Sequence, residues 1–368
     1  MPVFTCHKNH VGYNGEGFVY PAPLTTKLDE QEVAIIVNFP SSEQLSHLGE
    51  FGLIRRIAGR IAADDSVVTG IGDDAAVTAL TPGMQLLTST DMLLEDVHFR
   101  RVWHDPYRLG RKSLAVSISD IAAMGAIPRW ALLSLALPSG LSLDFVDRFM
   151  EGFLSMAAEQ GVSLTGGDTC SSKTGLVISV TIMGEQFPER IIRRSGACVD
   201  DDIWVTGTLG DAALALQVTE KGGDTSLVSR LLDPTPRVSA ALELARFGYA
   251  TALIDVSDGV LADFGHIAEL SAVGGQLFVE ELPLSQQLRA EAAVITANPY
   301  QLALSGGEDY ELCFTAPPAN REKIRESMKK CGVEVTRIGI VTPPTGVFAL
   351  NGDGSRFTCL AAGFNHFN

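Results

Sequence analysis

The spacing of apolar residues predicts a well-defined helix in the first half of the chain. At 100° per residue, Leu114, Ile118 and Ile121 fall on one face. The dipeptide Asp105-Pro106 supplies an N-cap followed by a residue suited to the first turn. A separate polar stripe contains Ser113, Ser117 and Asp120. Asp120 is therefore expected beside the core rather than among surface charges.

Short apolar runs bounded by turn residues predict strands around this helix. In the first half these strands are Met84 to Ser89, Ala131 to Leu137, Val162 to Thr165 and Leu176 to Met183. An amphipathic pattern from Leu143 to Gln160, stopped by Gly161, predicts a second helix.

The second half alternates strands and helices less regularly. Its predicted strands are Asp202 to Thr206, Thr251 to Asp255, Gln276 to Glu280, Gln301 to Leu304, a run ending at Phe314, Val333 to Val341 and Val347 to Leu350. Its predicted helices span about 211–219, 226–232, 236–246, 284–294 and 320–330. Ser257 is expected to cap a further helix and to point its amides at an anion. Because the alternation is loose, an α+β fold and a wound α/β sheet fit equally well.

The length of 368 residues predicts two domains, because it exceeds the usual size of a single core. Residues 1–48 lack a continuous periodic pattern and are predicted to form a poorly ordered extension. Positive charge is concentrated at Arg190, Arg193 and Arg194, where the domain junction is placed. The predicted domains are 49–188 and 189–368.

The composition, with 46% hydrophobic and 20% charged residues, is that of a soluble globular protein. A net charge of −16 argues against nucleic acid or an anionic membrane surface as partner. Six cysteines without C-x-x-C spacing predict a reducing, cytoplasmic environment. The chain has no H-E-x-x-H motif, no apolar run of membrane-spanning length and no signal-peptide pattern.

Acidic residues beside glycine, serine or threonine recur along the chain. In Thr69-Gly70-Ile71-Gly72-Asp73-Asp74, two adjacent carboxylates repel each other unless a cation lies between them. Similar sets are Ser89-Thr90-Asp91, Ser119-Asp120, Gly166-Gly167-Asp168, Asp255-Val256-Ser257-Asp258-Gly259 and Gly306-Gly307-Glu308-Asp309. Mg²⁺ is usually held by carboxylates together with substrate phosphates. The recurrence therefore predicts phosphate chemistry assisted by a divalent metal.

Each set taken alone also has an ordinary interpretation. Gly166-Gly167-Asp168 fits a plain turn, Ser257-Asp258 fits a helix cap, and His98 fits a loop residue or a ligand. Lys112 and Arg194 fit ordinary surface charges. What favours function is the joint placement of the acids at the ends of predicted elements.

The chain does not fit the common nucleotide-binding motifs. Gly70-x-Gly72-x-x-Ala75 formally matches a dinucleotide fingerprint, but residues 77–89 predict a strand, a turn and a strand in place of the required helix. The chain has no G-x-x-x-x-G-K-[ST] motif and no H-R-D or D-F-G set, which excludes the common kinase folds.

In their order along the chain, the acidic sets closely resemble those of thiamine-monophosphate kinase. Two longer stretches carry most of this resemblance, Ser119-Asp120-Ile121-Ala122-Ala123-Met124-Gly125-Ala126 and Ser305-Gly306-Gly307-Glu308-Asp309-Tyr310-Glu311-Leu312. That family belongs to the aminoimidazole ribonucleotide synthetase-like superfamily. The resemblance extends from about residue 49 to the C-terminus, so nothing about residues 1–48 follows from it.

The resemblance implies a two-domain fold and a homodimer. Strands of the N-terminal α/β domain would pair with those of a second subunit in a shared β-barrel, and the C-terminal domain would be α+β. It also implies direct transfer of the γ-phosphoryl group from ATP to thiamine phosphate, giving thiamine diphosphate, with several Mg²⁺ ions as cofactor.

The resemblance also implies roles for individual residues. The metal positions are Asp73, Ser89, Thr90, Asp91, Asp120, Asp168, Asp255 and Asp258. The nucleotide positions are Gly167, Asp168, Arg194 and Ser257, and the substrate positions are His98, Glu308 and Phe364. Phe364 stands where relatives often carry another aromatic residue. No catalytic base is assigned, because the acceptor oxygen of thiamine phosphate is already anionic.

Three other functions remain open at this point. The nearest is another ATP-dependent enzyme of the same superfamily that acts on a different acceptor. The second is a nucleotide-binding dehydrogenase, which would need no Mg²⁺. The third is a non-catalytic acidic protein that binds Mg²⁺ and releases no ADP.

Overall fold

The computed structural model describes residues 45–295, 297–360 and 363. Nearly all of the predicted extension 1–48 lies outside the described residues, and so does Phe364. The described residues belong to a compact unit that spans Ser41–Asn368. None of the helices in this described part is long and apolar enough to cross a membrane.

The first described element is helix α1, Leu45–Ala58, which crosses the predicted boundary at residue 49. Gly49 interrupts it with a non-helical φ of 68°. After α1, strands β1 (Val67–Thr69) and β2 (Val77–Thr78) pair antiparallel. A strand thus follows Gly72 where a dinucleotide fingerprint needs a helix, as the sequence predicted.

Four of the described strands form the first sheet. They are β3 (Gln85–Leu94), β4 (Ile127–Pro138), β5 (Ser163–Ser172) and β6 (Val177–Gln186), in the order β3-β6-β4-β5. The β4–β5 pair is parallel and the other two pairs are antiparallel. Helices α2 (Pro106–Ala122) and α3 (Leu143–Gln160) pack together, and α2 contacts this sheet.

The two faces of this sheet differ in exposure. Leu133, Leu135 and Val180 face the core and are at most 5% exposed. On the other face, Leu86 is 48% exposed and Met92 is 56% exposed. One face of the sheet therefore leaves apolar side chains uncovered.

Two acidic sets were wrongly predicted to follow strand ends. Gly166-Gly167-Asp168 is paired with β4 inside β5, which continues to Ser172. Ser89-Thr90-Asp91 likewise lies inside β3, which continues to Leu94. Gly167 has a φ of 153°, and a Cβ there would lie 1.8 Å from the carbonyl oxygen of Leu133. This glycine is required by the close approach of β4 and not by a turn.

The second sheet contains six described strands in the order β12-β9-β11-β7-β10-β8. Their ranges are β7 Asp202–Thr206, β8 Ala252–Val256, β9 Gly274–Phe278, β10 Glu311–Ala316, β11 Val335–Thr342 and β12 Val347–Leu350. Only the β9–β12 pair among them is parallel. This half is therefore α+β, one of the two alternatives that the sequence left open.

Helices cover both faces of the second sheet. They are α4 Asp211–Glu220, α5 Val228–Leu232, α6 Val238–Phe247, α7 Val260–Ser271, α8 Gln286–Val294, α9 Pro299–Ser305 and α10 Arg321–Lys330. On β7, Trp204 packs in one cluster with residues of α6 and α10, while Ile203 and Val205 pack in another with residues of α7. Alternate side chains of one strand thus enter two cores.

The predicted strand from Gln301 to Leu304 is wrong, because these residues belong to helix α9. The Asn298 side chain caps this helix by accepting from the amides of Tyr300 and Gln301, and Pro299 follows the cap. A short apolar run does not distinguish a strand from a buried helix, whereas the Asn-Pro start signal does.

Helix α2 joins the two halves of the described chain. It contacts the first sheet and α3 on one side, and α6, α5 and β8 on the other. Residues from both sides of the predicted junction near residue 189 belong to one core cluster. The two sheets are separate, but the halves share buried apolar surface along α2.

Candidate active site

The site is built around helix α2, whose start follows the predicted signals. The Asp105 side chain accepts a hydrogen bond from the Arg108 amide at 3.1 Å, and Pro106 occupies the first turn. Even the polar residues Ser113, Ser117 and Ser119 are fully buried, because protein packs around the helix. The predicted polar stripe therefore faces the interior.

Two hydrogen bonds bring carboxylates from three elements together. On one side of α2, the Ser89 hydroxyl of β3 donates to Asp120 Oδ2 at 2.5 Å. One residue earlier, the Ser119 hydroxyl donates to Asp255 Oδ2 of β8 at 2.7 Å. Asp91 lies two residues beyond Ser89 on the same face of β3. We call Asp91, Asp120 and Asp255 the carboxylate cluster.

Withdrawal from solvent and mutual repulsion alter the ionisation of the cluster. Burial and the nearby Asp120 charge raise the pKa of Asp91 to about 6. The same two causes raise the pKa of Asp255 to about 7, and burial raises the pKa of Asp120. Without a counter-charge, the fold therefore favours protonated carboxyl groups here.

A divalent cation fits the donor set of this cluster. Asp91 Oδ2 is buried and has no hydrogen-bond partner among the described residues. Ser117 is close enough to offset part of the Asp91 pKa shift, but it makes no well-formed hydrogen bond. In the described residues, no three acidic, imidazole or thiol groups converge closely enough to enclose a metal alone. Phosphate oxygens would have to complete the coordination, as is usual for Mg²⁺.

The predicted nucleotide residue Arg194 lies near the cluster. Its positive charge lowers the pKa values of Asp120 and Asp255 and so opposes part of the effect of burial. The guanidinium is thus close enough to balance these carboxylates. Arg194 is an exposed residue whose charge acts on these two carboxylates.

The loop after β8 differs from the prediction for Ser257. The N-cap of α7 is Gly259, with no side-chain cap. Asp263 Oδ2 accepts from the amides of Ser257, Asp258 and Gly259 at 3.1, 3.2 and 3.0 Å. These amides are already satisfied, so they do not form the predicted anion site. Asp263 is buried, and together with the Asp255 and Asp258 charges this burial raises its pKa to about 8.

The Glu308 loop is attached to the loop after β8. The Glu308 amide donates to the Ser257 carbonyl at 2.8 Å, and the Tyr310 amide donates to the Val256 carbonyl at 2.8 Å. A Cβ at Gly307 would lie 2.5 Å from the Ser257 carbonyl, so only glycine fits. Glu308 is held near the cluster by these backbone contacts.

Tyr310 shows how close these groups are. The pKa of its phenol is raised well above the usual range by burial and by the charges of Glu308, Asp91, Asp255 and Asp120. The substrate candidate Glu308 and all three carboxylates therefore lie within electrostatic range of one side chain.

Several predicted residues do not join the cluster directly. Asp91 lies in the same cross-strand row as Gly167, but β6 and β4 lie between their strands. Three strand spacings of ~4.8 Å place Asp168 about 14 Å away, too far to share one ion with Asp91. Asp73 is exposed, and its Oδ1 accepts from the Asp74 amide at 2.9 Å.

Thr90 and His98 have other surroundings. The Thr90 hydroxyl donates to the Val180 carbonyl at 3.2 Å on the face of β3 opposite Asp91. That hydroxyl is therefore not among the ligands of the cluster. His98 Nδ1 accepts from the Leu94 amide at 3.0 Å, which fixes the ring at the end of β3.

Comparison with known proteins identifies the family. Residues 72–186 match the family model described as AIR synthase related protein, N-terminal domain. The thiamine-monophosphate kinase of Haemophilus influenzae is 38% identical over 331 residues, which cover 87% of this chain and 98% of that protein. The chain belongs to the thiamine-monophosphate kinase family.

Solved thiamine-monophosphate kinase structures have the same fold. The enzyme from Stenotrophomonas maltophilia is 40% identical with a TM-score of 0.74, covering 83% of this chain and 96% of that one. The structure of AaThiL complexed with AMPPCP and TMP is 34% identical with a TM-score of 0.69, and the match covers 89% of this chain and 99% of that one.

Three residues of this thiamine-monophosphate kinase were missed by the sequence reasoning. Asp263 and Tyr310 gave no local signal beyond their place in or near an acidic set. Lys112 was wrongly compared with a surface charge, since its side chain is 0% exposed. The partners of Lys112 are distant in sequence, so spacing along the chain does not reveal them. The amides that Asp263 accepts from lie only four to six positions away.

Proposed function

We propose that this chain transfers the γ-phosphoryl group of ATP to thiamine monophosphate, giving thiamine diphosphate and ADP. The observation that carries the proposal is family membership over nearly the full length of the relative. The carboxylate cluster supports it, because buried acids that remain repulsive without a counter-charge suit a metal-assisted phosphoryl transfer.

The cluster would hold Mg²⁺ through Asp91, Asp120 and Asp255. Bound there, Mg²⁺ would neutralise the negative charge of the phosphates. Ser89 would orient Asp120, and Ser119 would orient Asp255. We assign further metal contacts to Asp73, Asp168, Asp258 and the backbone of Thr90. These residues complete the metal positions that the family resemblance implies.

The remaining residues would position the two substrates. Arg194, Gly167, Asp168 and Ser257 would contact the nucleotide, where Arg194 pairs with a phosphate. Glu308, His98 and Phe364 would contact thiamine monophosphate, and the Glu308 carboxylate suits its cationic ring. The attacking phosphate oxygen is already anionic, so alignment of the two substrates replaces a catalytic base.

A homodimer belongs to the same proposal. The exposed Leu86 and Met92 lie on the uncovered face of the first sheet, where a second copy would bury them. If the first sheets of the two copies closed into a shared β-barrel, the free edges of β3 and β5 would also be removed.

A product assay tests the activity. The full chain is incubated with ATP, Mg²⁺ and thiamine monophosphate, and thiamine diphosphate and ADP are separated by chromatography. Equal amounts of both products are expected. ADP release with a different phosphate or amine acceptor, and none with thiamine monophosphate, would assign the chain to another branch of the superfamily. Absence of ADP with every acceptor would refute a kinase.

Direct transfer also predicts that no phosphoenzyme forms. Incubation with γ-labelled ATP and Mg²⁺ without acceptor should leave the protein unlabelled, because the acceptor supplies the nucleophile. The measurement is label retained on the denatured protein. Stoichiometric label that moves into thiamine diphosphate on addition of acceptor would contradict direct transfer.

A further inference from the structure

Lys112 is a fully buried cation on the central helix α2. Its Nζ donates to the Leu231 carbonyl at 3.0 Å and to Glu308 Oε1 at 3.0 Å. Removing an ammonium group from water costs several kcal/mol, which its partners only partly offset. An apolar side chain of similar volume often gives equal or greater stability at such a position. Packing alone therefore does not account for a lysine here.

The partner of Lys112 has a fixed backbone and a partly free side chain. Glu308 has a φ of 68°, a left-handed conformation that is unfavourable for a residue with a side chain. Its amide is bound to the Ser257 carbonyl, so the backbone cannot relax without losing this bond. Its side chain is 27% exposed, and Lys112 is its hydrogen-bond donor within the described residues.

The charges around Glu308 explain why a cation is needed. The Tyr310 phenol lies within electrostatic range of Glu308 and of all three members of the carboxylate cluster. Glu308 therefore adds a negative charge to a region that is already acidic. Without Lys112 its flexible side chain would favour a rotamer that points to solvent, away from the other carboxylates.

We propose that Lys112 is a positioning residue for thiamine monophosphate. It holds Glu308 through Oε1 and leaves Oε2 available for the cationic ring of the acceptor. The inference rests on the proposed function, since it assumes that Glu308 contacts the acceptor. Lys112 itself touches neither substrate. Its effect should therefore appear in the affinity for the acceptor and not for ATP.

The neighbouring Arg111 provides a matched control. Its guanidinium Nε donates to Asp233 Oδ1 at 2.8 Å, only two residues beyond the Leu231 carbonyl that Lys112 binds. Its Nη1 also pairs with Glu159 at 2.5 Å. Both residues thus bind α2 to the same segment near α5, but Arg111 makes no hydrogen bond to Glu308. If the only effect of a substitution were the loss of this contact between α2 and the segment, it should appear whether Arg111 or Lys112 is replaced.

Steady-state kinetics of the full chain separate the possibilities. Lys112→Met should raise the KM for thiamine monophosphate by about 10-fold to 100-fold, the range for a lost charged hydrogen bond. The KM for ATP should stay within about twofold of the wild-type value. Arg111→Met should leave both KM values within about twofold. An unchanged acceptor KM in Lys112→Met, or an equal rise in both KM values, would overturn the proposal.

The double variant tests whether the two residues act together. Lys112→Met/Glu308→Gln should have an acceptor KM close to that of Glu308→Gln alone, because the second change removes what Lys112 positions. Multiplied effects would show that Lys112 acts independently of Glu308, contrary to the proposal.

Two further measurements keep the result interpretable. If Lys112→Met does not fold, Lys112→Arg keeps the charge in a planar, longer group that displaces Glu308. Lys112→Arg should raise the KM for thiamine monophosphate severalfold and leave the KM for ATP unchanged. An unchanged KM for thiamine monophosphate would overturn the proposal. The wild-type chain is assayed in parallel. If it forms no thiamine diphosphate, the proposed function and this inference both fail, whereas normal wild-type turnover isolates the role of Lys112.

Discussion

At the scale of single residues, the carboxylate cluster works against the stability of the protein that contains it. The folded-state pKa values of Asp91 and Asp255 lie at about 6 and about 7, above the ordinary 3.8. A raised pKa contributes stability that is complete below the unfolded pKa and lost as pH rises through the folded pKa. Near neutral pH the free protein is therefore destabilised by these charges.

Asp120→Asn should abolish most turnover without harming the fold. Asparagine preserves the shape and still accepts from Ser89, but it removes one negative charge from the proposed metal site. Loss of one transition-state electrostatic contact commonly lowers kcat by a factor of about 10² to 10³. The thermal midpoint of the free protein should be unchanged or higher at pH 8. Initial rates at saturating Mg²⁺ and a melting curve check both parts.

The stability advantage of Asp120→Asn should depend on pH. As pH falls from about 8 to 5, Asp91 and Asp255 become protonated in the wild type, and the repulsion that the variant removes disappears. The difference in melting temperature should therefore shrink toward acid pH. Asp144→Asn, an exposed change at the start of α3, is the control and should show no such trend. Near wild-type activity of Asp120→Asn would mean that Asp120 holds no metal.

Local signals predicted some of these residues and missed others. The helix period predicted that Asp120 lies beside the core, because it fixes which way a helical side chain points, and the structure places Asp120 there. Lys112 was misjudged because its meaning depends on Leu231 and Glu308, more than a hundred positions away. The pattern of neighbouring residues in the sequence does not show which distant residues a side chain contacts.

At the scale of elements, the start of α7 depends on one of its own side chains. Asp263, in the first turn of α7, accepts hydrogen bonds from three amides of the turn that precedes the helix, including that of the N-cap Gly259. The Ser257–Gly259 turn, which carries two proposed ligand-binding residues, is thus shaped by Asp263. The sequence had predicted an anion at this turn, because Ser257 could cap the following helix and leave its amides for a ligand.

Replacing Asp263 should loosen this turn. Asp263→Ala leaves buried amides without an acceptor and should lower the free energy of unfolding by about 1–3 kcal/mol. Asp263→Asn keeps a carbonyl oxygen as acceptor and should lower the free energy of unfolding much less. Chemical denaturation of the two variants and the wild type measures the difference. Equal stability of all three proteins would show that the Asp263 bonds do not hold the turn.

The strands and helices were predicted best where their signals are local. The cap at Asp105 and the stop at Gly161 gave α2 and α3 close to their observed limits. Strand β5 was cut short because a glycine pair usually marks a turn, whereas its pairing with β4 is a long-range effect. Helix α9 was predicted as a strand because the three apolar residues 302–304 carry too little periodicity to distinguish the two.

At the scale of the whole molecule, the uncovered sheet face should govern oligomeric state. Leu86→Glu/Met92→Glu places two charges on the face where a second copy is proposed to pack. Light scattering should show a dimer for the wild type and a monomer for this variant. Leu270→Glu, at an equally exposed apolar position on α7, is the control and should remain dimeric. A monomeric wild type at working concentration would contradict the shared barrel.

A chain that starts at Gly49 should keep its fold and its activity. It retains Leu53 and Ile57 in the core, and the Arg56 and Arg60 ion pairs with Asp147 at 2.5 and 2.9 Å. A chain that starts at Ala62 loses all four and should be less stable. Melting temperature and thiamine diphosphate formation are compared for the two shortened chains. Failure of the longer one to fold would show that residues 1–48 are needed.

In the proposed site, helix α2 sets the distance between the acceptor and the metal ligands. Asp120, proposed to hold the metal, lies eight positions after Lys112, proposed to position the acceptor, a span of about 12 Å. One inserted or deleted residue between them would shift that span by ~1.5 Å and turn one end by ~100°. A substitution along this stretch alters one side chain, whereas a change of length displaces every residue on one side of it. During divergence, the chain should therefore gain and lose residues in surface loops such as 221–226 and keep its count between Lys112 and Asp120.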